Sequence, residues 1–225
     1  MNHKLSPSDF TFLYERCKRC YYLKVVHNIS QPSIPLPSIF SKIAGLLKNY
    51  YNGKHTRDLH VELPPGTVNY SERYIKSESI QLPGHNDTCF ISGRFDIVVQ
   101  LDDGTYGVID FKTGNPNEEY HELYSRQLHA YAYALEHPAP STLSLSPVTE
   151  MGLLYFYPSK VSQPNIEWLS YDAEIHWIEI KKDEQAFLGF IAEVLGLLES
   201  GEPPNPSPTC RWCSYLSQLK NISRL

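Results

Sequence analysis

The spacing of hydrophobic and polar residues predicts that strands and helices alternate along the chain. Residues of the two kinds alternate over Tyr74–Leu82 and over Glu174–Ile180, which is typical of half-exposed and edge strands, whereas Met151–Tyr157 is nearly all apolar, as in a buried central strand. Apolar residues recur at helical spacing in Ser38–Tyr51 and in Asp183–Leu198. The expected fold class is α/β, with a mixed sheet and helices on its faces.

The stretch Ile91–Lys112 (ISGRFDIVVQLDDGTYGVIDFK) is predicted to form two short strands joined by a tight turn. The turn contains Asp103-Gly104, and an Asp-Gly pair supplies the positive-φ residues of a short hairpin. The two strands should therefore pair antiparallel. Their apolar residues indicate burial, so the charged residues at their ends require an explanation.

Those charged residues are Asp96, near the start of the first strand, and Asp110 and Lys112, at the end of the second. Because side chains alternate along a strand, Asp110 and Lys112 project from one face and Phe111 from the other. An ordinary salt bridge would explain Asp110 and Lys112, but it does not require a second aspartate. Two facing carboxylates repel unless a cation such as Mg²⁺ or Mn²⁺ lies between them, and a neighbouring lysine can orient a water for phosphodiester hydrolysis.

A helix is predicted to follow these strands, and it carries Gln127 and Tyr131 in the segment RQLHAYAYALE. The two residues are four apart, so they project from nearly the same helix face. Taken alone, this pattern is typical of core packing. Placed after Asp110 and Lys112, it also makes Gln127 a candidate to reach the site and Tyr131 a candidate to support it.

The length of 225 residues, with 41% apolar composition, suits a single globular domain spanning 1–225. The net charge of −5 does not favour a nucleic-acid binder, although a local basic groove is compatible with an acidic remainder. The sequence has neither the apolar core of a signal peptide nor a run that could span a membrane, so we expect a cytoplasmic protein with no membrane partner.

Four of the five cysteines form two Cys-x-x-Cys pairs near opposite ends of the chain. These pairs are Cys17/Cys20 and Cys210/Cys213, and Cys89 is expected to be a small buried residue. In a reducing compartment such pairs are more plausible as metal or cluster ligands than as disulfides. A shared site would join the terminal segments 1–27 and 202–225, and the proline-rich segment before Cys210 would deliver the second pair.

Three motifs, GRFD, IDFKT and the helix RQLHAYAYALE, resemble the PD-(D/E)XK nuclease superfamily and, within it, the RecB-like exonuclease group. They occur in the family's order and cover roughly 92–136. The resemblance implies a restriction-endonuclease-like core, that is, a central mixed sheet flanked by helices. The alternation of strands and helices alone would permit other α/β folds.

The resemblance further implies a metal-dependent deoxyribonuclease, exonuclease in preference to endonuclease, acting in DNA repair, recombination or defence. Asp96, Asp110 and the backbone carbonyl of Phe111 would hold Mg²⁺ or Mn²⁺. Lys112 would position the attacking water, Gln127 would help to orient it, and Tyr131 would support Gln127. The implied substrate is DNA that is single-stranded or has free ends, and a protein partner in a repair or defence complex is also possible.

The opening segment LSPSDFTFLYERCKRCYYLKV, predicted to be a helix from Ser6 onward, is similar to that of RecB-like nucleases that carry an iron–sulfur cluster. The family pattern has one cysteine after this helix and three at the C-terminus. Here the distribution is two and two, because Cys20 is additional and Leu219 stands where the last cysteine is expected. A four-cysteine iron–sulfur cluster remains the expectation, with zinc as the alternative.

Family members often carry a histidine shortly after a glycine in the helix predicted over Ser38–Tyr51, where it completes the metal site. At the corresponding distance after Gly45 this sequence has Lys48 or Asn49, and neither is a histidine. His55 or His60, in the following loop, could take that place, and His55 is the candidate metal ligand.

Two other classes of function remain open. The missing helix histidine and the acidic net charge suit a nuclease-like module that is catalytically weak or silent and that binds DNA or a partner. Alternatively, the chain is a structural metalloprotein held by its four cysteines, in which Asp96, Asp110 and Lys112 only join strands.

Overall fold

The structure is a computed structural model that describes residues 1–32 and 37–222, with side chains described up to residue 219. The proline- and serine-rich segment 28–37, whose sequence indicates an extended connection, lies partly outside these ranges. The strands are β1 (Asn2–Leu5), β2 (Gly66–Ser71), β3 (Tyr74–Lys76), β4 (Thr88–Arg94), β5 (Ile97–Leu101), β6 (Tyr106–Thr113), β7 (Val148–Asn165) and β8 (Trp168–Glu179). The helices are α1 (Phe12–Arg16), α2 (Lys18–His27), α3 (Ser38–Tyr51), α4 (His121–Glu136), α5 (Glu184–Leu198) and α6 (Arg211–Ile222).

The described strands form two sheets, and the larger has the order β2-β5-β6-β7-β8. Strands β6 and β7 are parallel and are connected through α4, whereas the other neighbours in this sheet are antiparallel. The predictions of a central strand at Met151–Tyr157 and of an edge strand at Glu174–Ile180 are confirmed. The smaller sheet has the order β1-β4-β3.

Helices cover both faces of the larger sheet. On one face, Tyr51 of α3 packs with Ile97, Ile109 and Leu154. On the other, Leu128 of α4 and Ile191 of α5 belong to the main core. This is the mixed α/β core of the restriction-endonuclease type that the sequence predicts.

The predicted hairpin is present between β5 and β6, with Ile97 paired to Ile109 and Gly104 at φ +88° in the turn. One detail of that prediction is wrong, because the segment contains part of a third strand. β4 ends at Arg94, and Asp96 lies in the bend before β5. The bend frees Asp96 from strand pairing and directs it towards β6 and α3.

The helix predicted from Ser6 onward is interrupted. A short 3-10 turn at Pro7–Asp9 precedes α1, and Cys17 separates α1 from α2 with extended backbone angles (φ −160°, ψ 99°). The break makes Cys17 the N-cap residue of α2, with Cys20 in the first turn of that helix.

The distal part of the β7/β8 hairpin is exposed on both faces from Tyr157 onward. The sequence beyond Tyr157 therefore does not predict a strand, since burial on at least one face is what produces an alternating pattern. The ribbon lies beyond the part of the sheet that carries the site.

Candidate active site and cysteine centre

Lys112 is the centre of a hydrogen-bonded group between β6 and α4. Its ammonium lies 2.6 Å from Oδ2 of Asp110 and donates to Oε1 of Gln127 at 3.2 Å. Nε2 of Gln127 in turn donates to the Tyr131 hydroxyl at 3.1 Å. The ring of Tyr124 lies below the ammonium, 3.8 Å from its nitrogen. The structure thus brings four of the predicted residues into one chain of contacts, backed by α4.

Asp110 is 5% exposed, although it carries a carboxyl group. Burial raises the pKa of Asp110 to about 6; the Lys112 ammonium opposes this rise and the charge of Asp96 adds to it. A buried carboxylate that a second carboxylate repels favours a cation beside it.

Asp96 and Phe111 meet across the start of the hairpin. Oδ2 of Asp96 accepts a hydrogen bond from the Phe111 N–H at 2.9 Å. The Phe111 ring projects to the opposite face from Lys112 and packs against Tyr51 and Phe156. The predicted alternation of side chains along β6 is confirmed, and Asp96 is held beside the backbone that links Asp110 to Lys112.

The structure adds Lys48 and Glu72, which the sequence analysis did not assign to the site. The Lys48 ammonium lies 2.6 Å from Oδ1 of Asp96 and also donates to Glu72. Partial burial opposes the charge of Lys48, but the hydrogen bonds to Asp96 and Glu72 prevail and raise its pKa. Lys48 occupies one of the two positions found by counting from Gly45. The sequence signal for Lys48 was therefore its position in the helix, where family members often have a histidine that completes the metal site. In this chain that position holds a lysine that contacts Asp96.

The structure does not bring His55 to this site. His55 is exposed and forms a backbone bridge with Thr67, near the start of β2. Asp96 lies beyond the other end of β2, where its carbonyl accepts from the Glu72 N–H. The two ends are separated by about 13 Å of strand, at roughly 3.3 Å per residue. The prediction that His55 enters from the loop has no support in the structure.

Two further polar atoms are buried without a hydrogen-bond partner among the described residues, namely the Tyr155 hydroxyl and Nε2 of His121, whose ring lies 6.3 Å from that of Tyr155. Tyr155 is the partner of Lys112 in the β6/β7 register. Burial, together with the neighbouring Tyr124 and Asp110, raises the pKa of Tyr155 to about 12, so its hydroxyl is a donor at neutral pH. Such atoms are available to a bound water or substrate oxygen.

The four predicted cysteines form one cluster, although they lie near opposite ends of the sequence. The ligand atoms of Cys17, Cys20, Cys210 and Cys213 all lie within 4.8 Å of one another. Direct sulfur–sulfur distances are 3.9 Å for Cys17–Cys213, 3.8 Å for Cys20–Cys210 and 3.4 Å for Cys20–Cys213. Cys89 is separate and fully buried, as predicted.

The C-terminal pair is held against α2 by specific contacts. The Arg19 guanidinium donates to the carbonyls of Pro203 and Pro204, at 3.4 and 3.0 Å, in the proline-rich segment. Gln31 donates to Sγ of Cys210 at 3.9 Å. These contacts position the pair beside α2.

The thiols differ in how readily they ionise. Burial disfavours the Cys17 thiolate, but hydrogen bonds with the backbone of Ser207 and Cys20 outweigh it and lower the pKa of Cys17 to about 7. Burial raises the pKa of Cys20 to about 11. Burial also raises the pKa of Cys213. The Cys17 thiolate therefore forms readily while the Cys20 and Cys213 thiols resist ionisation, a conflict that a bound cation relieves.

Comparison with known proteins identifies the superfamily of the chain. The sequence matches the PD-(D/E)XK nuclease superfamily over residues 40–218, a range that includes Asp96, Asp110, Lys112 and the C-terminal cysteine pair. The chain belongs to the PD-(D/E)XK nuclease superfamily. No curated protein matches the sequence. Among solved structures, the chain is similar to one titled "Crystal structure of SSO0001", with 15% identity, a TM-score of 0.46, and coverage of 95% of this chain and 84% of that one.

Membership gives the chain a metal-dependent nuclease fold, with divalent cations as the superfamily's metals and DNA as the implied substrate. The four-cysteine group is a second possible metal site. None of the helices described for this chain has the length and apolar character needed to cross a bilayer.

Proposed function

We propose that this protein is a Mg²⁺- or Mn²⁺-dependent deoxyribonuclease of the RecB-like type that acts as an exonuclease. The observation that carries the proposal is the position of Lys112, whose ammonium contacts Asp110 at 2.6 Å and Gln127 at 3.2 Å. A structural ion pair needs only the first contact. The amide and ring that also contact Lys112, and the second aspartate that acts on Asp110, suit a group that must be held in one orientation.

The residues fit a divalent cation. Asp96 and Asp110 offer hard carboxylate oxygens, Phe111 lies next to both, and the mutual repulsion of the two carboxylates favours a cation. Asp96, Asp110 and the Phe111 carbonyl would hold it. When bound, the ion polarises the scissile phosphate and lowers the pKa of a coordinated water.

The protein's own groups have distinct parts in the reaction. Lys112 positions the attacking water and stabilises the negative charge that develops on the phosphate. Gln127 orients the Lys112 ammonium through Oε1, and Tyr131 fixes the amide of Gln127. Burial beneath α4 keeps this group away from bulk water, which strengthens its electrostatic interactions.

The test is cleavage of labelled single-stranded and duplex DNA in Mn²⁺ by the wild type, Asp110→Ala and Lys112→Ala. Each variant should lose on the order of a hundredfold or more in rate. Lys160→Ala, which changes an exposed lysine on the β7/β8 ribbon, serves as the matched control. Circular single-stranded DNA should resist cleavage if the enzyme is an exonuclease. Equal cleavage by all four proteins would overturn the assignment.

One observation favours a second candidate, a nuclease-like module that binds DNA without cutting it. The Lys48 ammonium contacts Asp96, so a protein cation already neutralises one expected metal ligand. That module would bind DNA, show no Mn²⁺ binding by isothermal titration calorimetry, and cleave no substrate.

For the cysteine centre, we infer a single tetrahedral ion such as zinc in preference to an iron–sulfur cluster. Four sulfurs at about 2.3 Å from one ion lie roughly 3.8 Å apart. All four sulfurs lie within 4.8 Å of one another, and three of their separations are 3.4 to 3.9 Å, close to that value. A four-iron cluster binds each cysteine through a different iron, and would hold the sulfurs further apart.

A further inference from the structure

A cavity of about 780 Å³ lies beside the cysteine cluster, between α1 and the start of α6. Its wall combines the arginines Arg16 and Arg211 with the rings of Phe12 and Trp212, and hydroxyl groups surround them. None of the described residues that line it carries a carboxylate. We propose that this cavity, called here the arginine cleft, binds single-stranded DNA and leads the strand to Lys112. The proposal rests on the nuclease function proposed above.

The charge of the arginine cleft is opposite to that of the whole chain. The protein has 25 acidic and 20 basic residues, yet the described lining has two arginines and no acid. Arg16 and Arg211 are exposed, so their guanidinium groups are accessible to phosphates. A local basic cleft resolves the conflict between an acidic protein and an anionic substrate.

The aromatic rings at the arginine cleft favour single-stranded DNA over other anions. Arg16 lies over the Phe12 ring at 4.7 Å, and Trp212 stacks on Tyr215 at 5.9 Å, with Tyr215 about half exposed. Alternating cations and aromatic faces suit unpaired bases joined by phosphates, because every base has a face that can stack. Duplex DNA keeps its bases stacked on each other, and an acidic peptide offers no flat rings.

The arginine cleft is connected to the active site through aromatic contacts. The Phe12 ring, which lines the cleft, lies 5.8 Å from the Tyr124 ring, and Tyr124 lies 3.8 Å from the Lys112 nitrogen. Tyr120, which is 38% exposed, packs edge-on against Phe12 at 5.3 Å and lies 6.3 Å from Tyr124. A strand of a few nucleotides can therefore contact the cleft and Lys112 together.

Nearby acidic residues limit where phosphates can bind. Arg126 pairs with Glu15 at 3.0 Å and with Glu122 at 2.8 Å, which neutralises the acids beside Phe12. The exposed Glu118 and Glu119 precede Tyr120. The phosphate contacts are consequently assigned to Arg16 and Arg211, and the stacking contacts to the rings.

The test measures binding of fluorescently labelled (dT)12 by anisotropy, with the metallated protein as purified and no added divalent cation. Arg16→Gln/Arg211→Gln should weaken binding at least tenfold. It should also reduce the slope of log K against log salt by about 0.7 per arginine. The control Arg57→Gln/Lys160→Gln removes two exposed charges elsewhere and should bind as the wild type does. If the two double variants bind equally, the arginine cleft is not the site.

Phe12→Leu tests the rings separately from the charges. It keeps an apolar side chain and should weaken (dT)12 binding about fivefold or more, because stacking on one ring is lost. Unchanged binding would contradict the assignment. A poly-glutamate peptide of equal charge should compete poorly; competition equal to that of unlabelled (dT)12 would mean that the cleft is a general anion site, and would overturn the DNA assignment.

A short substrate, thymidine 5′-(p-nitrophenyl) phosphate, tests the nuclease function independently of the arginine cleft, because it is too short to reach the cleft. If the wild type hydrolyses it in Mn²⁺ while the cleft variants bind (dT)12 normally, the function stands and the cleft inference fails. If the wild type does not hydrolyse it while the cleft variants lose (dT)12 binding, the cleft is a DNA site on a silent module.

Discussion

The ammonium group of Lys48 lies 2.6 Å from Oδ1 of Asp96, on the side of Asp96 opposite to its contact with the Phe111 N–H. Both oxygens of this carboxylate are therefore engaged by the protein. A divalent cation that binds Asp96 must share Oδ1 with Lys48 or displace it, because two cations in contact with one oxygen repel. Lys48 is thus expected to set the metal concentration that the site requires.

Replacing Lys48 with methionine should strengthen metal binding. The variant keeps the unbranched shape and helix propensity of the side chain but removes the competing charge, so Mn²⁺ should bind about tenfold more tightly, equivalent to about 1.4 kcal/mol. Isothermal titration calorimetry measures the affinity directly. Lys42→Met, on the same helix but exposed, is the matched control and should leave the affinity unchanged. Identical affinities in the two variants would show that Lys48 does not compete.

Without a divalent cation, Asp110→Asn should stabilise the protein at neutral pH. The pKa of Asp110 rises from its ordinary value of 3.8 to about 6 in the folded chain, chiefly through burial. Between these values the folded state holds a proton that the unfolded state has lost, so wild-type stability falls as pH rises through this window, by up to about 3 kcal/mol. Asparagine cannot ionise and avoids this loss.

Urea unfolding of both proteins at pH 4, 5, 6 and 7 would measure this difference. The cysteine centre is common to both, so any acid sensitivity it confers cancels in the comparison. Stability curves that remain parallel from pH 4 to pH 7 would contradict the prediction. Added Mg²⁺ at pH 7 should stabilise the wild type more than the variant, because only the wild type retains both carboxylates.

Local sequence patterns were sufficient for the elements that form the site. The helix Ser38–Tyr51 has the predicted bounds, and Asp183 caps α5 by accepting from the Ala186 N–H at 2.8 Å. The Asp103-Gly104 turn likewise joins β5 to β6. Each of these features depends on a few adjacent residues, so periodicity and turn chemistry carry the necessary information.

Features that depend on tertiary packing were not predictable in the same way. Lys48 meets Asp96 only because α3 packs against the face of the sheet opposite α4, a relationship between residues 48 positions apart. The extended backbone of Cys17 likewise occurs at a tertiary contact, since its sulfur lies 3.9 Å from that of Cys213. Helical spacing continues through Cys17 in the sequence and gave no sign of the break.

Gln127→Ala should lower kcat about tenfold and leave KM nearly unchanged. Its Oε1 accepts from the Lys112 ammonium, and a hydrogen bond to a charged group contributes about 1.5–3 kcal/mol. If Gln127 only packs in the core, the variant should instead lose stability while kcat is retained. Leu128→Ala, at the adjacent and fully buried position, provides that comparison, with an expected destabilisation of about 2–5 kcal/mol. A kcat for Gln127→Ala equal to that of Leu128→Ala would rule out the positioning role.

Cys17→Ser and Cys210→Ser should each release the metal of the cysteine centre and lower the melting temperature, because each removes one of four thiolate ligands contributed by opposite ends of the chain. Cys89→Ala, which changes the fully buried cysteine outside the cluster, should retain full metal content. Elemental analysis should find about one zinc per chain and no visible absorbance. A brown protein absorbing at about 400 nm would instead identify an iron–sulfur cluster, in agreement with the family resemblance and against the sulfur spacing. If both serine variants kept their metal, the termini would not share a site, and the close approach of the four sulfurs would have to be explained by packing alone.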